Sequence, residues 1–454
     1  MKKIRIAAIL CALLLFLTLP MGAAGYTLPE STTIHAASAI LVSLAGNAEG
    51  DVVLYDKEAD TVHAPGSMMR YMVLAYALHR VEEKGLDIDT ATGTYTKEMF
   101  NTYVAGTGVN TANMAYGETW TLRDLLQVAF MQSASDAVVV LAYAIDGGVA
   151  PFIQGMNTLA AEIGCRYSHF ANLTGLDSLS QYTTARDMYR IVRYAQQFSL
   201  FEDLAVNYQV TVRPVSGGSQ RTIVSTNSML QPSSSYRYSP LVHSRTGLSE
   251  HEGRTCASVA RDSGYEYLVV VMGCPEENAE GQKNLHYRDT MALFRWGFNN
   301  FEYKTVLGNS EILASLPVRL SLDTDWINLV PKQEIATVVE GNLELNQIVK
   351  EITLKADVEA GVDAPIEKGT VLGKVELIVN TDQKIGEVEL VAAETINRSW
   401  LLYAWSQVSG FFTSPWFFLG IGLLVLLIIG YAILNVVHNR RRRRDRLQRV
   451  KPNR

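Results

Sequence analysis

The stretch APGSMMRYMVLAYALHRVEEKG, residues 64–85, decides how the chain reads. Pro65-Gly66 is a strong punctuation, the residues after it are densely apolar, and Gly85 stands where a left-handed cap would end a helix. A helix is therefore expected over Ser67–Lys84. A serine in the first turn of a helix meets free backbone N–H groups and the positive end of the helix dipole, both suited to an oxyanion. Arg70, three residues on, shares its face. Taken alone, the same serine reads as an ordinary helix cap.

Working outward, Ala37–Leu44 and Val52–Tyr55 read as strands around the turn Gly46-Asn47-Ala48-Glu49-Gly50. Residues 121–145 read as a helix with a break at Gln132-Ser133, and 183–198 as another. Leu241–Arg245, Thr255–Arg261 and Glu266–Met272 read as strands, the last two joined by the hairpin turn Asp262-Ser263-Gly264. From about 304 to 395 short β-rich runs alternate with turns, which predicts a small all-β domain.

Two further clusters carry chemistry. Met131-Gln132-Ser133-Ala134-Ser135-Asp136 sits at the expected helix break, where two hydroxyls can face a cleft or simply cap the helix. Ser244-Arg245-Thr246-Gly247 ends a strand. A cation and a hydroxyl there suit a carboxylate ligand, or else a charge that defends a sheet edge. No Cys/His cluster has metal-ligand spacing, so no metal and no cofactor are expected.

In their order and spacing, these clusters resemble the serine penicillin-binding enzymes, whose pattern is Ser-x-x-Lys, then Ser-x-Asn, then Lys-Thr-Gly. The stretches HFANLTGLDSLSQYTTARDMYRIVRYA (169–195) and RTGLSEHEGRTCASVARDSGYEYLVVVMG (245–273) resemble the low-molecular-mass D-alanyl-D-alanine carboxypeptidases of peptidase family S11. APIEKGTVLGKVELIVNTDQKIGEVELVA (364–392) is similar to that family's C-terminal β domain. The resemblance covers roughly residues 34–410. It implies an α+β, β-lactamase/transpeptidase-like fold: an antiparallel sheet with helices on both faces, an all-helical region, a small β domain and one C-terminal transmembrane helix.

The resemblance implies Ser67 as nucleophile and Ser133 as a second catalytic hydroxyl, with Ser135, Arg245, Thr246, Gly247 and Leu248 contacting substrate. The N–H groups of Ser67 and Leu248 would form the oxyanion hole. Its substrate would be a peptidoglycan stem peptide ending in D-Ala–D-Ala, and β-lactams would trap it. Three positions depart from the pattern. Arg70 stands where the lysine base belongs, and arginine holds its proton far above neutrality. Ser135 replaces asparagine. Arg245 replaces lysine, which keeps a cation able to grip a carboxylate in two places. His243 shares a strand face with Arg245 and, with His251, is a candidate substitute base; surface placement of both is the other reading.

The ends carry membrane signals. Residues 1–24 have a basic start, an apolar run and small residues, the layout of a signal peptide. Residues 416–437 are long and apolar enough to span a bilayer, and 438–454 are basic, predicting a cytoplasmic tail and an exported N-terminal part. The expected layout is a peptidase-like domain at 25–300, a β-sandwich at 301–395, an amphipathic connector at 396–415, the span and the tail. Between the signal peptide and the tail lie 28 basic and 45 acidic residues, a balance that argues against a nucleic-acid partner. Cys256 and Cys274 lie at similar distances from Gly264, so a disulfide across the hairpin or two buried thiols are both open. Three functions follow as candidates: a D-Ala–D-Ala carboxypeptidase with impaired catalysis, a non-catalytic binder of cell-wall peptides or of a partner protein (a scaffold pseudoenzyme), and, last, a β-lactam hydrolase or sensor.

Overall fold

A computed structural model describes residues 26–45, 50–355, 358, 361–380 and 383–448. The expected signal peptide, the turn at 46–49, Asp382 and tail residues 449–454 lie outside the described residues. The chain divides into two compact units. One holds the chain up to Lys304 together with Ala336–Val349 and Ile378–Ile385; the other holds Thr305–Ile335, Lys350–Leu377 and the chain from Gly386 on.

At the centre of the first unit is a five-stranded antiparallel sheet. Its spatial order is Val52–Lys57, Ser38–Ser43, Tyr265–Cys274, Gly253–Asp262, Leu241–Ser249, which leaves Leu241–Ser249 at an edge. Alternation along Tyr265–Cys274 sorts its side chains to two faces. Leu268, Val270 and Met272 join the main core with the helix Arg70–Lys84. Tyr267 points the other way, against Gly297 and Phe298 of the helix Leu285–Asn300. Helices therefore cover both faces, as the fold class requires.

Arg70–Lys84 is buried at every position from Arg70 to Leu78, so it is the central element of an all-helical region rather than a surface helix. It is entered through a 3-10 turn, Gly66–Met69, and ends at Gly85 with φ +60°. The expected break near Ser133 is present: Leu122–Gln132 stops at Ser133 in the left-handed conformation (φ 58°), and Ser135–Asp146 starts afresh. The hairpin turn at Asp262-Ser263-Gly264 is also present, with φ +50° at Ser263 and +87° at Gly264, as a tight antiparallel turn demands.

That hairpin decides between the two readings of Cys256 and Cys274, in favour of buried thiols. Its register pairs Asp262 with Tyr265 and hence Cys256 with Val271, while Cys274 falls opposite Arg254 beyond an irregularity. Both thiols are free and buried.

The C-terminal stretch is all-β. A six-stranded sheet takes in Val349–Leu354, Val371–Val379, Gln383–Ala392, Trp326–Pro331, Ala314–Arg319 and Val362–Asp363, in that order. Phe301–Leu307 and Ile335–Glu340 pair separately. Trp400–Thr413 is helical, with Trp400, Leu401 and Trp405 exposed. It is followed by the helix Pro415–Gln448, whose Pro415–Arg443 portion is long and apolar enough to cross a membrane.

Candidate active site

Three backbone approaches assemble the site around Ser67. A methyl on Gly66 would stand 2.6 Å from both N and O of Leu248. One on Gly247 would stand 2.3 Å from the Pro65 carbonyl and 2.8 Å from Met68 N. One on Gly175 would stand 2.9 Å from the Gly66 carbonyl. Only residues without a side chain let the edge strand and the 172–176 loop close on the serine turn. The Thr255 hydroxyl fastens the junction by donating to Pro65 O at 3.1 Å. Ser67, Thr246, Gly247 and Leu248 are thus brought together. Thr255 and Gly175 are partners that the motifs alone do not announce.

The Ser67 hydroxyl donates to the Thr246 carbonyl at 3.0 Å. That acceptor is a backbone oxygen, a group with no capacity to carry the proton away. Arg70, three residues on, is 1% exposed. Its guanidinium is spread over two segments: Nη1 donates to the Leu173 carbonyl, and Nη2 to Ser133 O (3.2 Å), Thr174 O (3.2 Å) and Ser135 Oγ (3.1 Å). Burial, and then the Arg245 charge, push its pKa down to about 9, while Asp136 acts the other way. It remains a cation at neutral pH. Ser133 and Ser135 are therefore drawn into the site, Ser133 through its carbonyl and Ser135 through its hydroxyl.

Asp136 is buried and accepts from the N–H groups of Ala112 and Ala137 at 2.9 Å and of Met114 at 3.2 Å. Burial raises its pKa and those three donors oppose the rise. Arg245 is not a solvent-facing edge charge. It is 1% exposed, donates through Nη1 to Met131 O at 3.1 Å, and lies 5.9 Å from the Phe130 ring centre. Burial pushes it down to about 10. Among the described residues no carboxylate comes within 4.0 Å of either guanidinium, and the Nε of each is buried without a partner. Two buried cations with no carboxylate paired to them are costly, and an anionic ligand group would relieve that cost.

The substitute-base expectation is corrected. His243 does share Arg245's face, but that face is the interior. It is enclosed by Tyr71 and Phe201, with Nδ1 2.9 Å from the Tyr71 hydroxyl. Burial, with a smaller contribution from Arg261, pulls its pKa down to about 3, so it is a poor base at neutral pH. His251 is exposed. It lines a cavity of about 580 Å³ beside the serine segment, together with His63, Asp177, Tyr182 and Ser249. His63 there is held through Nδ1 by Glu252 at 2.9 Å.

His243 and His286 are both pulled from 6.5 to about 3, burial being the main cause. Between those values the unfolded chain binds more protons than the folded one. Stability is therefore full above about pH 6.5 and falls as pH drops towards 3, by about 1.4 kcal/mol per pH unit for each histidine. A melting series from pH 7 to 4 should show this decline, and His243→Asn should remove roughly half of the part due to the two histidines. An unchanged slope in that variant would show that His243 does not contribute.

Residues 26–276 match the D-alanyl-D-alanine carboxypeptidase family (peptidase S11), and 301–398 match the C-terminal domain of penicillin-binding protein 5. The chain is 24% identical over 340 residues to the D-alanyl-D-alanine carboxypeptidase DacF of Bacillus subtilis, covering 74% of this chain and 79% of the relative. It is 24% identical over 407 residues to DacC of Escherichia coli, covering 89% and 92%. Among solved structures, penicillin binding protein 5 of Haemophilus influenzae superposes with a TM-score of 0.61 at 20% identity, over 82% of this chain and 100% of that one. DacD of Francisella tularensis superposes with a TM-score of 0.63 at 18% identity, over 82% and 96%.

Proposed function

The chain belongs to the D-alanyl-D-alanine carboxypeptidase family, and from that premise we propose that it recognises peptidoglycan peptides ending in D-Ala–D-Ala while turning them over poorly or not at all. The observation that carries this reading is the Arg70 guanidinium, which fills the place of the base with donors alone. A general base must be able to accept the proton it abstracts. Ser67 instead donates its hydroxyl hydrogen bond to Thr246 O, which cannot take the proton.

Recognition rests on groups that survive the exchange. Arg245 and Thr246 offer a cation and a hydroxyl for the terminal carboxylate, with Ser133 and Ser135 on the facing wall. The Ser67 and Leu248 N–H groups cradle the penultimate carbonyl; backbone donors do not depend on the side chains that changed. The buried Arg245 guanidinium, which has no paired carboxylate among the described residues, supports a carboxylate ligand. β-Lactams would bind the same cleft reversibly. The peptidase-like part is exported, anchored through Pro415–Arg443, with the arginine-rich end in the cytoplasm; the one-sided positive charge supports that orientation.

The test is a calorimetric titration of the full-length protein in detergent with a synthetic peptide ending in D-Ala–D-Ala, with free D-alanine assayed afterwards. Saturable binding without D-alanine release is expected. The C-terminal amide of the same peptide should bind about tenfold or more weaker, because a charge-assisted hydrogen-bonded contact is lost. Release of D-alanine at each binding event would replace this reading with that of a working enzyme.

A further inference from the structure

Arg70 and Ser135 touch, and their sizes are complementary. The family pattern places a lysine at the first position and an asparagine at the second. Here the first side chain is longer and forked, and the second is shorter by an amide. Both are buried, Ser135 at 0% exposure, so neither can expand into solvent. Arg70 Nη2 reaches Ser135 Oγ at 3.1 Å and continues to the carbonyls of Ser133 and Thr174, each at 3.2 Å. With Nη1 on the Leu173 carbonyl, one guanidinium ties the serine helix to the helix break and to the 172–176 loop.

We infer that Arg70 and Ser135 are a matched pair: one compensated exchange that keeps the walls of the cleft in register while removing its proton acceptor. Arg70 is then a positioning residue, and the cleft is arginine-built rather than a lysine cleft with one part spoiled. A swap that conserves total volume is tolerated in a packed interior, whereas either half alone leaves a gap or an overlap. Lysine alone at position 70 has three donors on one atom and cannot span three carbonyls and a hydroxyl from one plane. Asparagine alone at position 135 drives an amide into the guanidinium.

The experiment compares four full-length proteins in detergent: the parent, Arg70→Lys, Ser135→Asn and the double variant. Each is melted, and each is incubated with benzylpenicillin and weighed intact. In the covalent step Ser67 Oγ bonds to the lactam carbonyl carbon and the ring C–N bond breaks. The hydroxyl proton passes to the introduced neutral amine and on to the ring nitrogen. Each single variant should melt about 5 °C or more below the parent, because buried carbonyls lose donors or an amide overpacks. The double variant should recover to within about 2 °C of the parent. It should also gain one penicillin mass at Ser67 at least about tenfold faster than Arg70→Lys does.

Additive melting losses, or a double variant no more reactive than Arg70→Lys, overturn the inference. A single variant too unstable to purify beside a folded double variant supports it; a double variant that also fails to fold overturns it. The melting cycle holds whether or not the natural protein turns peptide over, so its failure is separate from failure of the peptide titration.

Discussion

Held with benzylpenicillin at pH 7, the protein is expected to keep its own mass long after the double variant Arg70→Lys, Ser135→Asn has been fully acylated. Its second-order acylation constant should lie about 10²- to 10⁴-fold lower, the usual contribution of a positioned base. The cause is local: Ser67 Oγ donates to Thr246 O, and the Arg70 guanidinium is committed to four acceptors. Any residual reaction still runs through the Ser67 hydroxyl, so Ser67→Ala should abolish it. Rapid addition of one penicillin at pH 7 would mean that a base acts from a group not yet in contact with Ser67.

Much of this architecture could be read without coordinates, because its signals are local. A left-handed Ser133 between two helices and a Ser263-Gly264 turn each act over three or four residues. What could not be read depends on register and distance. Of the two readings open for Cys256 and Cys274, buried thiols hold, because similar separations from Gly264 are not a register: the turn pairs Asp262 with Tyr265, which sets Cys256 opposite Val271. The helix Leu285–Asn300 has a weak sequence signal because its aromatic residues and Gly297 are poor helix formers, and it is fixed by packing against Tyr267. His243 was placed correctly on Arg245's face, but whether that face is cleft or core depends on Tyr71 and Phe201, far away in sequence. The identity of Arg70 announced the loss of a base. Its role as a tie needed the carbonyls of Leu173 and Thr174, about a hundred residues on, and nothing in a serine-loop motif points to them.

The same junction predicts the most damaging small substitution. Gly247→Ala adds one methyl in an ordinary strand conformation, so backbone strain is not the issue. The methyl would meet Pro65 O at 2.3 Å, Thr255 Oγ1 at 2.5 Å and Met68 N at 2.8 Å. Two of the three are backbone atoms of the turn that holds Ser67, and the third is the hydroxyl fastening that turn at Pro65 O. None is the free end of a flexible side chain, so the turn must move off the strand by about 1 Å to restore ordinary van der Waals separation. That movement breaks the Thr255–Pro65 and Ser67–Thr246 hydrogen bonds and separates the Ser67 and Leu248 N–H groups. Overpacking of about 1–3 kcal/mol and two lost hydrogen bonds at about 1 kcal/mol each give about 3–5 kcal/mol. For a domain of this size that is a fall in melting temperature of about 10 °C, together with loss of peptide binding. Gly308→Ala is the control: nothing lies within 4 Å of its added methyl, and it should melt with the parent. Peptide binding retained in Gly247→Ala would show that the ligand does not need the serine turn and the edge strand closed against each other, and the binding site would then have to be sought away from Ser67.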